Sequence, residues 1–168
     1  KVCSSTGNCP NSDILAGIEW CTQQKPTYNI AAMSLSLGTG SFSTEASCKA
    51  SNTAEAEAVG LAAKANISVV AASGNSGFTS GISAPACLPN ATSVGSVNPD
   101  DSLHSVTNRA KNLDLLAPGK LIKSTAINNQ YGTKSGTSQA TPHVAAAVAL
   151  MKQANPAIND SQIITLLN

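Results

Sequence analysis

An α/β fold with a mostly parallel sheet flanked by helices on both faces is the architecture that this 168-residue sequence predicts. Three observations carry that reading. YNIAAMSLSLG at 28–38 reads as a buried strand, and ISVVAAS at 67–73 is a continuous apolar run, as in strands covered on both faces. Helical patterns at 13–24 and 54–65 alternate with them. A Gly-Thr-Ser turn then opens into a long Ala- and Val-rich helix running from Thr137 to about Ala154.

Taken in order, Ser12 and Asp13 mark a helix start, and Ile14, Ile18 and Cys21 recur at helical spacing. Pro26 and Thr27 are expected to break this helix. The first strand follows, with Gly38 at its carboxyl end, and residues 39–53 read as a polar loop. Strong helix formers fill 54–65 (AEAEAVGLAAKA). After the second strand, the Gly, Ser and Pro residues of 74–89 predict loop. Short strands are expected at 92–97 and 113–116, the latter stopped by Ala117, Pro118 and Gly119. Residues 120–125 and 130–134 read as a hairpin across Asn128 and Asn129. Pro156 limits the long helix, and Asn159 or Asp160 caps a final one ending at Leu167. No linker or internal repeat divides the chain, so residues 1–168 form one unit.

Charged residues make up 11% of the chain against roughly 25% in an average globular protein, and the formal net charge is +1. Such a composition suits an extracellular protein. With no basic run, nucleic-acid binding has no electrostatic footing. No apolar stretch reaches the length of a membrane span. Five cysteines lie at 3, 9, 21, 48 and 87, none in a zinc pattern and all distant from the two histidines, so no metal site is expected. Disulfides fit better: Cys3–Cys9 would close a short loop, and Cys48–Cys87 could be bridged. Sequence does not fix connectivity, and the odd count leaves one thiol over. Asn66, Asn90 and Asn159 open N-glycosylation sequons, which in a chain this rich in Asn, Ser and Thr also arise by chance.

Ser138 stands at the first turn of the long helix, where free backbone N–H groups favour developing negative charge. Thr137 or Ser138 as a plain helix cap is the simpler reading of the dipeptide. The longer string, however, resembles the nucleophile motif of the subtilisin-like serine proteases, G-T-S-x-A-[ST]-P-H-V. The match runs through Gly136, Thr137, Ser138, Ala140, Thr141, Pro142, His143 and Val144, with Gln139 where the family generally has Met. AASGN at 71–75 resembles the segment that carries the family's oxyanion-hole asparagine, which implies that role for Asn75. LSLG at 35–38 resembles the strand lining the primary specificity pocket, so Ser36, Leu37 and Gly38 are implied in substrate binding, with Ser73 and Gly74 in the opposite wall. SDILAGIEW, SAPACLPNATSVGSV and LDLLAPG extend the likeness over nearly the whole chain.

The resemblance implies a secreted endopeptidase that forms an acyl-enzyme on Ser138 with polypeptide substrates and needs no cofactor, although a structural calcium ion is common in the family. It also implies a truncation at the amino-terminal side, because the chain matches the carboxyl-terminal two-thirds of such a catalytic domain. The family's D-[ST]-G and H-G-[TH] motifs, which supply acid and base, do not occur. A cloning boundary, proteolytic processing and a gene fragment all remain open as its origin. Neither histidine is a natural substitute. His143 lies five residues along the same helix and is expected to be buried and hydrogen-bonded. His104, beside Asp100 and Asp101, is expected at the solvated surface. Asp114 is expected in a strand-end turn, and a Ser-Lys arrangement fails because Thr141 occupies the third position after the serine. The isolated chain is therefore expected to be inactive, with the missing segment as its partner. The alternative is a non-catalytic peptide-binding module using strand addition along Ser36-Leu37-Gly38. An uncovered sheet edge would also favour a homodimer.

Overall fold

The computed structural model describes residues 2–168. Its centre is a four-stranded parallel sheet in the order β1-β3-β5-β6, built from Ala32–Leu35 (β1), Ser68–Ala72 (β3), Ala91–Val97 (β5) and Leu115–Pro118 (β6). Every residue of β3 is buried. Successive side chains of a strand point to opposite faces, and β3 shows what each face meets. Val69 and Ala71 pack with Ile14, Ile18, Val59 and Ile67 on the side of α1 (Asn11–Tyr28) and α3 (Thr53–Lys64). Val70 packs with Val94, Leu115, Val144, Val148 and Ile163 on the side of α4 (Thr137–Ala154) and α5 (Asp160–Leu167).

Four local expectations change. Helix α1 starts at Asn11 and runs through Pro26 to Tyr28. The proline sits in the last turn, where it removes one amide donor to Thr22, and the helix closes only at Asn29. Asn29 takes a left-handed conformation (φ 51°) and donates its N–H to the Lys25 carbonyl at 2.8 Å. Strand β1 is correspondingly shorter than the apolar run. Residues 39–53 are structured: β2 (Thr39–Phe42) is followed by α2 (Glu45–Ser51), whose cap Thr44 accepts from the Ser47 N–H at 3.1 Å. Finally, the 74–89 segment contributes β4 (Ile82–Ala84), antiparallel to β2.

The hairpin of β7 (Ile122–Ala126) and β8 (Gln130–Lys134) turns through Asn128 and Asn129, both left-handed. Asn159 closes a capping box with Gln162 at the start of α5. Sulfur–sulfur bonds join Cys3 to Cys9 and Cys48 to Cys87; the half-buried Cys21 is free, and burial pushes its thiol up.

At the amino ends of the strands a polar knot ties the helices together. Lys152, buried, donates to the Asn66 carbonyl at 3.1 Å and pairs with Asp160 at 3.4 Å. Ser68 also donates to Asp160, and Lys25 donates to the carbonyls of Ile30 and Asn66. The opposite, carboxyl ends of the strands carry the candidate site, as is usual in parallel α/β sheets.

Candidate active site

Helix α4 begins where β1 and β3 end. Gly136 precedes it in a conformation (φ 143°) that favours glycine, and a Cβ there would lie 3.0 Å from Asn75 Oδ1. That opening lets Asn75 press against the turn. The Thr137 N–H donates to Asn75 Oδ1 at 2.8 Å, and the Thr137 hydroxyl donates to the same oxygen at 3.1 Å. With Oδ1 committed twice, the amide is oriented so that Nδ2 is left for another acceptor. Asn75 is exposed, so that nitrogen can reach a ligand beside Ser138.

Ser138 is held by a reciprocal pair. Its hydroxyl donates to the Ser36 carbonyl at 3.2 Å, and the Ser36 hydroxyl donates to the Ser138 carbonyl at 2.8 Å. The second bond has a cause in the sequence. In a helix the Ser138 carbonyl would accept from residue 142, but Pro142 has no N–H. Ser36, arriving from the end of β1, supplies the donor that proline removes.

Beside this pair lies a cleft of about 310 Å³ lined by Leu37, Gly38, Gly74, Asn75, Ser83 and Ser138, among others. Glycine at 38 is required by close approach, since a Cβ would sit 2.8 Å from the Ala84 carbonyl oxygen. Gly74 (φ 107°) leaves no room for a side chain next to Ser83 and Asn108. Ser73 is fully buried behind this wall, its carbonyl accepting from the Ser83 N–H at 2.9 Å. Ser36 faces Ser138 rather than the cleft.

One organising residue had no distinctive sequence signal. Buried Asn108 accepts from the N–H groups of Ser76 and Phe78 at 2.9 and 3.1 Å, and its own N–H donates to the Gly74 carbonyl at 3.0 Å. It shapes the 74–78 loop that carries Asn75. In the sequence it is one polar loop residue among many.

Both histidines sit differently from expectation. His143 is hydrogen-bonded, through Nδ1 to the Gln139 carbonyl at 2.8 Å, but it is exposed rather than buried. His104 is buried rather than solvated, with Nδ1 3.0 Å from the Ser96 hydroxyl. Burial, followed by the nearby Lys120 charge, holds its pKa below the usual histidine value. Neither ring is hydrogen-bonded to Ser138. Asp114 accepts from the Ser93 N–H and hydroxyl, both at 2.7 Å, at the start of β5. Ser102 donates to Asp100 from its hydroxyl and N–H, holding that carboxyl below the usual range. Among the described residues no three His, Cys, Asp or Glu side chains converge.

The structure thus brings together a serine at a helix N-terminus, an asparagine amide held against the same turn and an adjoining groove. The model of the subtilase family matches residues 1–168, and the chain belongs to that family. It is 38% identical to Subtilisin E of Bacillus subtilis (strain 168) over 168 residues, covering 97% of this chain and 40% of that protein. Subtilisin Savinase of Lederbergia lenta is 39% identical over 163 residues, covering 97% and 55% respectively. A cold-adapted subtilisin-like serine proteinase superposes with a TM-score of 0.85 at 35% identity, over the whole of this chain and 57% of that one. Sphericase gives 0.84 at 28% identity, over 99% and 57%. The chain thus spans about 40% of Subtilisin E and little more than half of these structures. No helix among the described residues is long and apolar enough to cross a membrane.

Proposed function

We propose that this chain is the nucleophile and oxyanion-hole portion of a secreted serine endopeptidase. Ser138 Oγ attacks the carbonyl of an extended polypeptide held along Ser36-Leu37-Gly38 and the Ser73-Gly74 wall. Asn75 Nδ2 and the Ser138 N–H receive the oxyanion; its collapse breaks the peptide C–N bond, the amine leaves with the proton taken from Ser138 by the base, and water then hydrolyses the ester to release the acyl group as a carboxylic acid. The observation that carries this reading is the pair of hydrogen bonds that Thr137 donates, from its N–H and its hydroxyl, to Asn75 Oδ1, which leaves the amide nitrogen free beside the serine. In subtilisin, loss of such a donor costs on the order of 10² to 10³ in kcat.

The proton of Ser138 needs a base that this chain does not supply, because both imidazoles are hydrogen-bonded elsewhere. A further segment provides base and acid, and the 168 residues alone do not turn over peptide. The two disulfides favour an oxidising, extracellular setting. The edge of β1, unpaired among the described residues, favours self-association of the isolated chain.

The cleft is tested by titrating an extended, uncharged hexapeptide into the ¹⁵N-labelled chain. Shifts at Leu37, Gly38, Gly74 and Asn75 that vanish in Gly38→Val support the assignment. Perturbation along α1 with an untouched cleft would reject it.

A further inference from the structure

His104 is a buried ring in a loop that does not line the substrate groove, yet a short stack of contacts runs from it to the Gly136–Ser138 turn. Its Nδ1 lies 3.0 Å from Ser96 Oγ, and its N–H donates to the Ser96 carbonyl at 3.0 Å. Thr107 clamps the same residue, accepting from the Ser96 N–H at 3.1 Å and donating to its carbonyl at 2.8 Å. Ser96 Oγ in turn packs against Gly119. A Cβ at 119 would overlap that hydroxyl and lie 2.7 Å from the Gly136 carbonyl oxygen. The Gly136 N–H donates to the Gly119 carbonyl at 2.7 Å, and the next residue, Thr137, holds Asn75. Each contact is backbone or a short side chain, so little slack separates His104 from Gly136.

We propose that His104 is a positioning residue for the Gly136–Ser138 turn, acting through Ser96 and Gly119, and that a proton added to its ring displaces that turn. With Nδ1 as acceptor, the Ser96 hydroxyl donates to it. Once the ring carries both protons, Nδ1–H must donate to Ser96 Oγ, and the serine proton has to find another acceptor. The hydroxyl then rotates within a space shared with Gly119, and the Gly119–Gly136 hydrogen bond shifts with it. Lys120, on the segment between β6 and β7, is the charge that acts on the ring and disfavours the second proton. It also acts on Asp100, which lies on the loop of His104 next to Asp101 and is held by Ser102. The consequence for catalysis rests on the reading of Ser138 as nucleophile, whereas the displacement is measurable without any turnover.

The test is a pH titration of the ¹⁵N-labelled 168-residue chain from about pH 8 to about pH 4.5, spanning the ordinary histidine value of about 6.5. The His104 ring and the amides of Gly119, Gly136 and Thr137 are followed together. The amides are expected to share the ring's midpoint in the native chain and in His143→Gln. They lose their shift in His104→Gln. Lys120→Gln moves the ring and amide midpoints upward together. Amides that stay still while His104 titrates would overturn the inference, as would midpoints that separate in Lys120→Gln. If His104→Gln does not fold, the Lys120→Gln comparison decides alone. Failure of the peptide to bind the groove would reject the functional reading without touching this result.

Discussion

Pro142 leaves the Ser138 carbonyl without its helical donor, and the Ser36 hydroxyl takes that place. Ser36→Ala is therefore expected to cost about 1 kcal/mol, the net value of an ordinary hydrogen bond. Ser36→Thr, which keeps a hydroxyl, should recover most of it. Urea unfolding of the three proteins checks this, and equal stabilities would mean that the bond contributes nothing. At this scale, legibility followed local strings. The placement of Ser138 in the first turn of α4 and of Asn75 just beyond β3 was readable because Gly136-Thr137-Ser138 and Ala-Ser-Gly-Asn are contiguous. Asn108 and His104 were not, because their burial comes from long-range pairing. Thr107 and His104 are folded back onto Ser96, and Val97 bridges Leu103. A polar stretch such as NPDDSLHSV gives no sign that one of its side chains ends up inside.

Elements were legible in proportion to their length and apolar content. α3, β3, β5 and α4 follow from runs that bury whole faces. The strand β2 was missed because Thr39, Gly40 and Ser41 offer neither alternation nor bulk, and its pairing with β4 supplies the missing reason. α2 was missed although Thr44 caps it in the ordinary way, since seven residues carry little periodicity. α3 contains a testable flaw. Glu55 is buried in its first turn, and desolvation raises its carboxyl pKa. A raised folded value means that the acid's contribution to stability is present below the unfolded value of about 4.3 and is lost as pH rises through the folded one. Near neutral pH, ionised Glu55 thus opposes folding. Glu55→Gln should raise the thermal midpoint at neutral pH, with the gain shrinking toward about pH 4. Circular dichroism melts at several pH values test this, and a gain independent of pH would rule out desolvation as the cause.

The whole molecule is a sheet covered on both faces but not on both edges. β1 pairs with β3 on one side, and among the described residues no strand pairs with the other. Alongside runs a groove of about 790 Å³, with Ile14, Gly17, Trp20, Met33 and Leu35 in its walls. Trp20 remains 52% exposed, enough for a large apolar side chain to drive contact. Sedimentation equilibrium of the isolated chain should show a concentration-dependent dimer, weakened in Ser34→Lys and Trp20→Glu, which put charge on the edge and in the groove. A monomer at every concentration would refute self-association.

The parallel core and its two helical layers were readable from the sequence as a whole, whereas the edge of β1, which no strand pairs with among the described residues, was expected only through the family resemblance. On the proposed reading, the base for Ser138 comes from outside these 168 residues. In subtilisin, removal of the histidine alone costs about 2 × 10⁶ in kcat. The most direct measurement is mass spectrometry of the isolated 168-residue chain during exposure to an alkyl fluorophosphonate. Little or no adduct is expected, with any trace confined to Ser138 and absent in Ser138→Ala. Rapid, stoichiometric modification of Ser138 would contradict the account, because it would mean that these residues already contain the base.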